Sequence, residues 1–98
     1  MDAHPGIVFR DGPDGRRAAI AGGMDVWEMI ATVKDQPTKG EQAIDDAASY
    51  LDVSPVVVRT AVGYYANFRS EIDERIERNR AEADAAEAAW RESLVAIS

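Results

Sequence analysis

The sequence predicts a mainly α protein: an N-terminal β-hairpin, then a helix-turn-helix bundle, then a C-terminal amphipathic helix. Three observations carry this. Two short apolar segments flank a cluster of Gly, Asp and Pro near the N-terminus. From Val26 onward apolar residues recur at helical spacing, and between Leu51 and Pro55 a turn-and-cap signature joins two of those helical stretches.

The hairpin comes first. Ile7 to Arg10 is β-branched and aromatic, Arg16 to Ala21 is a second short apolar segment, and the connector Asp11-Gly12-Pro13-Asp14-Gly15 holds residues suited to a tight reversal. Two strands alone are marginal in water, so the ribbon needs a partner surface, for which its copy in a second chain is the candidate; a homodimer is the expectation. After Gly22-Gly23 the period changes. Val26, Met29, Ile30 and Val33 form one helical stripe, with Asp25 and Glu28 spaced to cap its start, and Pro37 closes it. Thr38 and Glu41 repeat the capping-box spacing before Ala43, Ile44, Ala47, Ala48 and Leu51. Ser54 is a good N-cap and Pro55 suits the first position of a third helix, whose buried face is expected to be Val58, Ala61, Val62 and Tyr65, with Tyr64 off that stripe. A bend is expected between Asn67 and Ser70. Beyond it the chain is rich in Ala, Glu and Arg, with a sparse stripe of Ile72, Ile76, Ala83, Ala86, Trp90, Leu94 and Ile97. The chain thus divides into a ribbon plus helix-turn-helix domain over residues 1–70 and a helical partner-binding segment over residues 71–98.

Composition narrows the function. The 98 residues are 46% hydrophobic and 30% charged, enough for one modest core and too few for a substrate domain beside a cofactor domain. There is no cysteine, which removes disulfides, thiol nucleophiles and thiolate metal sites. No run approaches the roughly 18 apolar residues of a membrane helix, and no basic segment leads into an apolar stretch, so no membrane partner is expected and the cytoplasm is the expected location. The formal net charge of −7 opposes nucleic-acid binding unless the cations gather on one face.

The strongest local pattern is Ala47-x3-Leu51-x-Val53-Ser54-x3-Val58. A small residue lets two helices approach, apolar residues plug the turn, and Ser54 caps the second helix, as in a DNA-binding helix-turn-helix or in any tight helical corner. On the outward face of that second helix only Arg59 and Thr60 suit bases or phosphates well, so DNA binding also calls on Arg10, Arg16 and Arg17 of the ribbon. Val56 and Val57 suit thymine methyls or a protein equally. The candidate DNA-binding set is Arg10, Arg16, Arg17, Ser54, Arg59 and Thr60. The same three ribbon arginines also suit a solvated strand edge.

Three stretches in order, Asp14 to Ile30 (DGRRAAIAGGMDVWEMI), the helix-turn-helix, and Ala61 to Asp73 (AVGYYANFRSEID), resemble the short antitoxin-like family known as domain of unknown function 433. The likeness covers about His4 to Ile76. That family's pattern is a glycine-led β-ribbon, an amphipathic helix, a homeodomain-like helix pair and an Ala-x-x-Tyr-Tyr-Ala segment running into an acidic helix. The chain departs from it in reading Ala18-Ala19-Ile20 where a Pro-Val-Ile core is usual, and Gly23-Met24 where a Thr-Arg pair is usual.

The resemblance implies an antitoxin of a type II toxin–antitoxin pair, whose partner is a PIN-like ribonuclease toxin and whose helix-turn-helix binds operator DNA. A PIN-type site is a carboxylate cluster around a divalent metal, which an inhibitor arginine can block. Arg75, Arg78, Arg80 and Arg91 are the candidates, with Trp90, Leu94 and Ile97 as the apolar anchor, since Trp and Arg dominate costly interface positions. Two other readings of the same residues are a helix-turn-helix-shaped interaction module that does not touch DNA, and a stand-alone transcriptional regulator whose last helix only dimerises.

No enzyme reading gathers support. His4 is the only histidine, with no nucleophile spaced to use it, so no catalytic residue is assigned. Asp45 and Asp46 are helix neighbours pointing apart, a poor metal pair, and no metal or cofactor is expected. The charges from Glu71 to Arg78 interleave at i+3 and i+4, the pattern of a salt-bridged solvated face. Trp27 beside its helix's apolar stripe is a candidate dimer or partner contact.

Overall fold

In the computed structural model, which describes residues 5–13, 15–21 and 23–97, a two-stranded antiparallel ribbon of β1 (Ile7–Gly12) and β2 (Gly15–Ile20) precedes four helices. These are α1 (Val26–Asp35), α2 (Gly40–Leu51), α3 (Pro55–Asn67) and α4 (Arg69–Ala96). The expected mainly helical fold with an N-terminal hairpin is what the chain adopts. The strands run further into the connector than their apolar residues indicate. Gly12 pairs with Gly15, and Gly15 takes φ +98°, a conformation glycine adopts without steric cost. Asp14 and Gly22 lie outside the described residues.

The core forms where the ribbon's inner face meets the first three helices. Val26, Met29 and Ile30 of α1 pack with Ile44 and Ala48 of α2, Val58 and Ala61 of α3, and Ile7, Ala18 and Ile20 of the ribbon. The turn between α2 and α3 is built as the spacing predicts. Ala47 and Val58 are fully buried, and Leu51 and Val53 pack partly against the core. Asp52 adopts the left-handed conformation (φ 57°, ψ 48°), which Asp tolerates better than most residues. The N–H of Val53 donates to the Ala48 carbonyl at 3.0 Å and that of Asp52 to Ser49 at 3.3 Å, a Schellman ending that satisfies the last carbonyls of α2. Ser54 then caps α3 through its Oγ, which accepts from the Val56 N–H at 3.3 Å, with Pro55 at the first helical position.

Two capping expectations are corrected. Asp25 is the residue before α1 but makes no cap bond. It is buried, and its carboxylate forms an ion pair with Arg17 at 2.6 Å and accepts from Trp27 Nε1 at 3.2 Å. A guanidinium outcompetes backbone amides for a buried carboxylate. Thr38 likewise does not cap α2, whose N-cap is Lys39; its hydroxyl donates to Asp46 Oδ2 at 2.6 Å, tying the loop to the second turn of the helix.

The stripe of α3 is also corrected. Tyr64, not Tyr65, is the buried ring. A single helical stripe assumes a single packing surface, whereas α3 is contacted by α1 and α2 and also by the ribbon and α4. Tyr64 fills the ribbon side, stacked on Phe68 at 4.5 Å and edge-on to Phe9 at 6.2 Å. Tyr65 and Val62 are half-buried on the other side. The bend falls within the expected window, at Phe68, and lays Ile72 and Ile76 of α4 into the core.

Candidate partner-binding site

Helix α4 is 28 residues long, about 42 Å at 1.5 Å per residue, and only its first two turns bury side chains against the rest of the protein. Ile72 and Ile76 are buried; every residue from Glu77 to Ile97 is exposed. The spacing of the apolar stripe continues unbroken through this arm, so Ala83, Ala86, Trp90, Leu94 and Ile97 lie on the face that Ile72 and Ile76 turn toward the core. The head simply ends beneath it. Trp90 is 63% exposed, Leu94 43% and Ile97 81%.

The arm's own charges do little to anchor it. Arg91 pairs with Glu87 at 2.7 Å and Arg80 approaches Glu77 at 3.9 Å, both along the helix surface. Such exposed pairs contribute roughly 0.3–0.5 kcal/mol each. Beyond Ile76 the helix is held by propensity and a few surface pairs, without packing against a core. An external surface over the stripe would stabilise it by burying the indole and the two aliphatic chains.

At the root of the arm the structure joins residues that the sequence reading assigns to different partners. Arg16 and Arg17 of β2, expected at DNA, and Arg75 and Arg78 of α4, expected at the toxin, line one groove beside Trp27. The groove has a cavity of about 150 Å³ toward the ribbon tip and a neighbouring one of about 130 Å³ toward Asp25. Glu71, Glu74, Asp25 and Glu82 interleave with the four arginines, so the groove alternates charge. Arg17 contacts Asp25 off the axis of its Nε–H, which among the described residues has no hydrogen-bond acceptor. Arg16 lies over the Phe9 ring at 4.1 Å. Trp27 is half-buried, packed against the core and bonded to Asp25. No spacing rule brings residues of a strand beside residues some sixty positions later, so the groove is invisible to periodicity.

Of the remaining DNA-binding candidates, Ser54, Arg59 and Thr60 do not line this groove, whereas Arg10 shares a ribbon face with Arg17. Ser54 is engaged as the cap of α3, and the Thr60 hydroxyl donates to the Val56 carbonyl at 3.0 Å. Arg59 is exposed on the outer face of α3, where its Nη2 lies 3.2 Å from Glu41 Oε2 and 4.0 Å from Asp45 Oδ1. Arg10 is exposed on β1, opposite Arg17. Val56 is exposed beside Arg59, while Val57 packs partly on the core.

A second polar cluster fastens α4 to the bundle. Asp73 Oδ1 receives Lys34 Nζ at 2.7 Å and the Tyr65 hydroxyl at 2.8 Å. The Lys34 bond, then the Tyr65 bond, hold the Asp73 carboxyl below its ordinary range, and the bond to Asp73 raises Lys34. Burial, with the Glu71 carboxylate beside it, pushes the Tyr64 phenol up to about 12. Asp46 is lowered by the bonds from Thr38 and Gln42. Among the described residues no group of three or more His, Asp or Glu side chains could hold a metal ion, and His4 lies outside them. No helix there is long and apolar enough to cross a membrane. No family model, no curated protein and no solved structure matches the chain.

Proposed function

We propose that this chain is an antitoxin: a compact head that carries a helix-turn-helix for its own operator, and a projecting arm that inhibits a PIN-like ribonuclease toxin, acting as a homodimer. The observation that carries the reading is the uncovered apolar stripe of α4, continuous with its core face and ending in Trp90, Leu94 and Ile97. A stripe of that size without a covering surface marks a protein contact. The arm's charges favour a different macromolecule over a second arm. With Ile76, Ala83, Trp90 and Ile97 as the seam, a parallel pair of arms sets Arg75 against Arg80 and Glu82 against Glu87 of its mate, both like-charged. The test is RNA cleavage by the product of the neighbouring reading frame. The full chain is expected to suppress it, and a chain lacking Glu82–Ser98 to leave it running. A neighbour that is not a ribonuclease, or cleavage indifferent to the full chain, overturns the reading.

One observation favours a second reading, an interaction module that does not touch DNA: the only cation of α3 is engaged by two acids of α2. Titrating the protein against its own promoter fragment at several salt concentrations separates the two. A specific complex that weakens steeply with salt supports the repressor.

A further inference from the structure

The ribbon has one open edge, and the hydrogen bonding shows which groups line it. Ile20 donates its N–H away from β1, to the Met24 carbonyl at 2.9 Å, while Ile7 stands opposite Ile20 in the ladder. Ile7 and Ile20 are therefore a pair without mutual bonds. The alternation of an antiparallel ladder makes Val8–Ala19, Arg10–Arg17 and Gly12–Gly15 the bonded pairs. The N–H and C=O groups of Ile7, Phe9 and Asp11 consequently point outward. The far edge of β2 is occupied by the bridge from Ala19 to Asp25, but among the described residues β1 has no strand beyond it, and its Val8 and Phe9 side chains are 37% and 41% exposed. A six-residue edge with apolar side chains is a template for another strand.

We infer that the strand completing this edge is β1 of a second copy, running antiparallel across a dyad at Phe9. In that register Phe9 faces Phe9, Ile7 faces Asp11 and Val8 faces Arg10 of the second copy. All outward N–H and C=O groups of both strands are then paired, with no like charges opposed. The neighbouring registers fail on the sequence. A dyad at Arg10 opposes two arginines and sets Ile7 against Pro13, and one at Val8 sets Asp11 against Pro5; neither proline has an N–H to give. The result is a four-stranded sheet in place of a marginal ribbon. This deepens the homodimer part of the proposed function and is independent of its antitoxin part.

The chain has no cysteine, so single-cysteine variants report the register directly. Val8 and Arg10 of the second copy form a pair without mutual bonds, with Cα atoms about 4.5 Å apart, within the roughly 4.4–6.8 Å that a disulfide spans. Mixing Val8→Cys and Arg10→Cys chains under mild oxidation is expected to give the mixed disulfide in several-fold excess over either same-site product. Sedimentation equilibrium of the parent is expected to show a dimer, and Phe9→Lys, with two ammonium groups at the dyad, to weaken it by at least about tenfold with unchanged far-ultraviolet circular dichroism. A parent that is monomeric at every concentration overturns both the interface and the homodimer reading. A dimer with no preference for the mixed disulfide overturns the interface and leaves the homodimer standing, whether or not Phe9→Lys folds.

Discussion

Glu41 on α2 holds Arg59 on α3 at 3.2 Å, so the one cation on the helix that a DNA groove would receive is already paired with an acid. Both side chains are solvent-exposed, and an exposed pair is weak and exchangeable. A phosphate can therefore displace the carboxylate. If α3 enters DNA, Arg59→Ala lowers affinity for the promoter fragment and reduces the salt slope by about 1, whereas Glu41→Gln raises affinity by removing the competitor. The proposed inhibition of a toxin is expected to be unchanged in both. Equal promoter binding by all three proteins takes α3 out of the groove.

Trp90 touches nothing in the head, which separates binding from stability in a single substitution. Trp90→Ala is expected to weaken toxin binding by about 2 kcal/mol and to leave the thermal midpoint of the free protein unmoved. Calorimetric titration and a melting curve on the same sample check both. An unchanged dissociation constant removes the indole from the interface.

The cap at Ser54 acts the opposite way. Ser54→Ala removes the acceptor for the Val56 N–H at the corner where α2 and α3 meet, and is expected to cost about 1 kcal/mol of unfolding free energy. Urea denaturation measures it. A midpoint equal to the parent's means that water replaces the hydroxyl at no cost.

The polar clusters set the pH limits of the fold. Asp73 has its carboxyl lowered below 3.8, so its contribution is present above that value and is lost as pH falls through the folded one. Lys34 is raised above 10.5; its contribution is present below that value and is lost as pH climbs through the raised one. Tyr64 titrates at about 12 in the fold against 10.0 ordinarily, so the folded state loses stability between those values as the unfolded chain ionises first. Asp73→Asn should flatten the acid limb of a stability–pH curve and Tyr64→Phe the alkaline limb. A limb that keeps its slope in the matching variant assigns it to another group.

Much of the architecture was legible because it follows from local rules. The stripe of α1, the Ala-rich face of α2, and the Ser54-Pro55 start of α3 each depend on residues within one or two turns of each other. The exposed stripe of the arm was legible for the same reason. The caps expected at Asp25 and Thr38 were not, because each side chain had a stronger partner available: Arg17 on the neighbouring strand β2 for one, Asp46 in the second turn of α2 for the other.

What the sequence by itself determined is the periodic part: which residues turn inward on α1 and α2, where the chain reverses, and that its last third is a helix too sparse in apolar residues to build a core. Only the tertiary structure decided which tyrosine is buried, since α3 is packed on two sides and its stripe widens. It alone brought Arg16 and Arg17 beside Arg75 and Arg78, and it alone left Phe9 on an open edge. Local spacing fixes the direction of a side chain relative to its own backbone; what stands opposite depends on how distant segments dock.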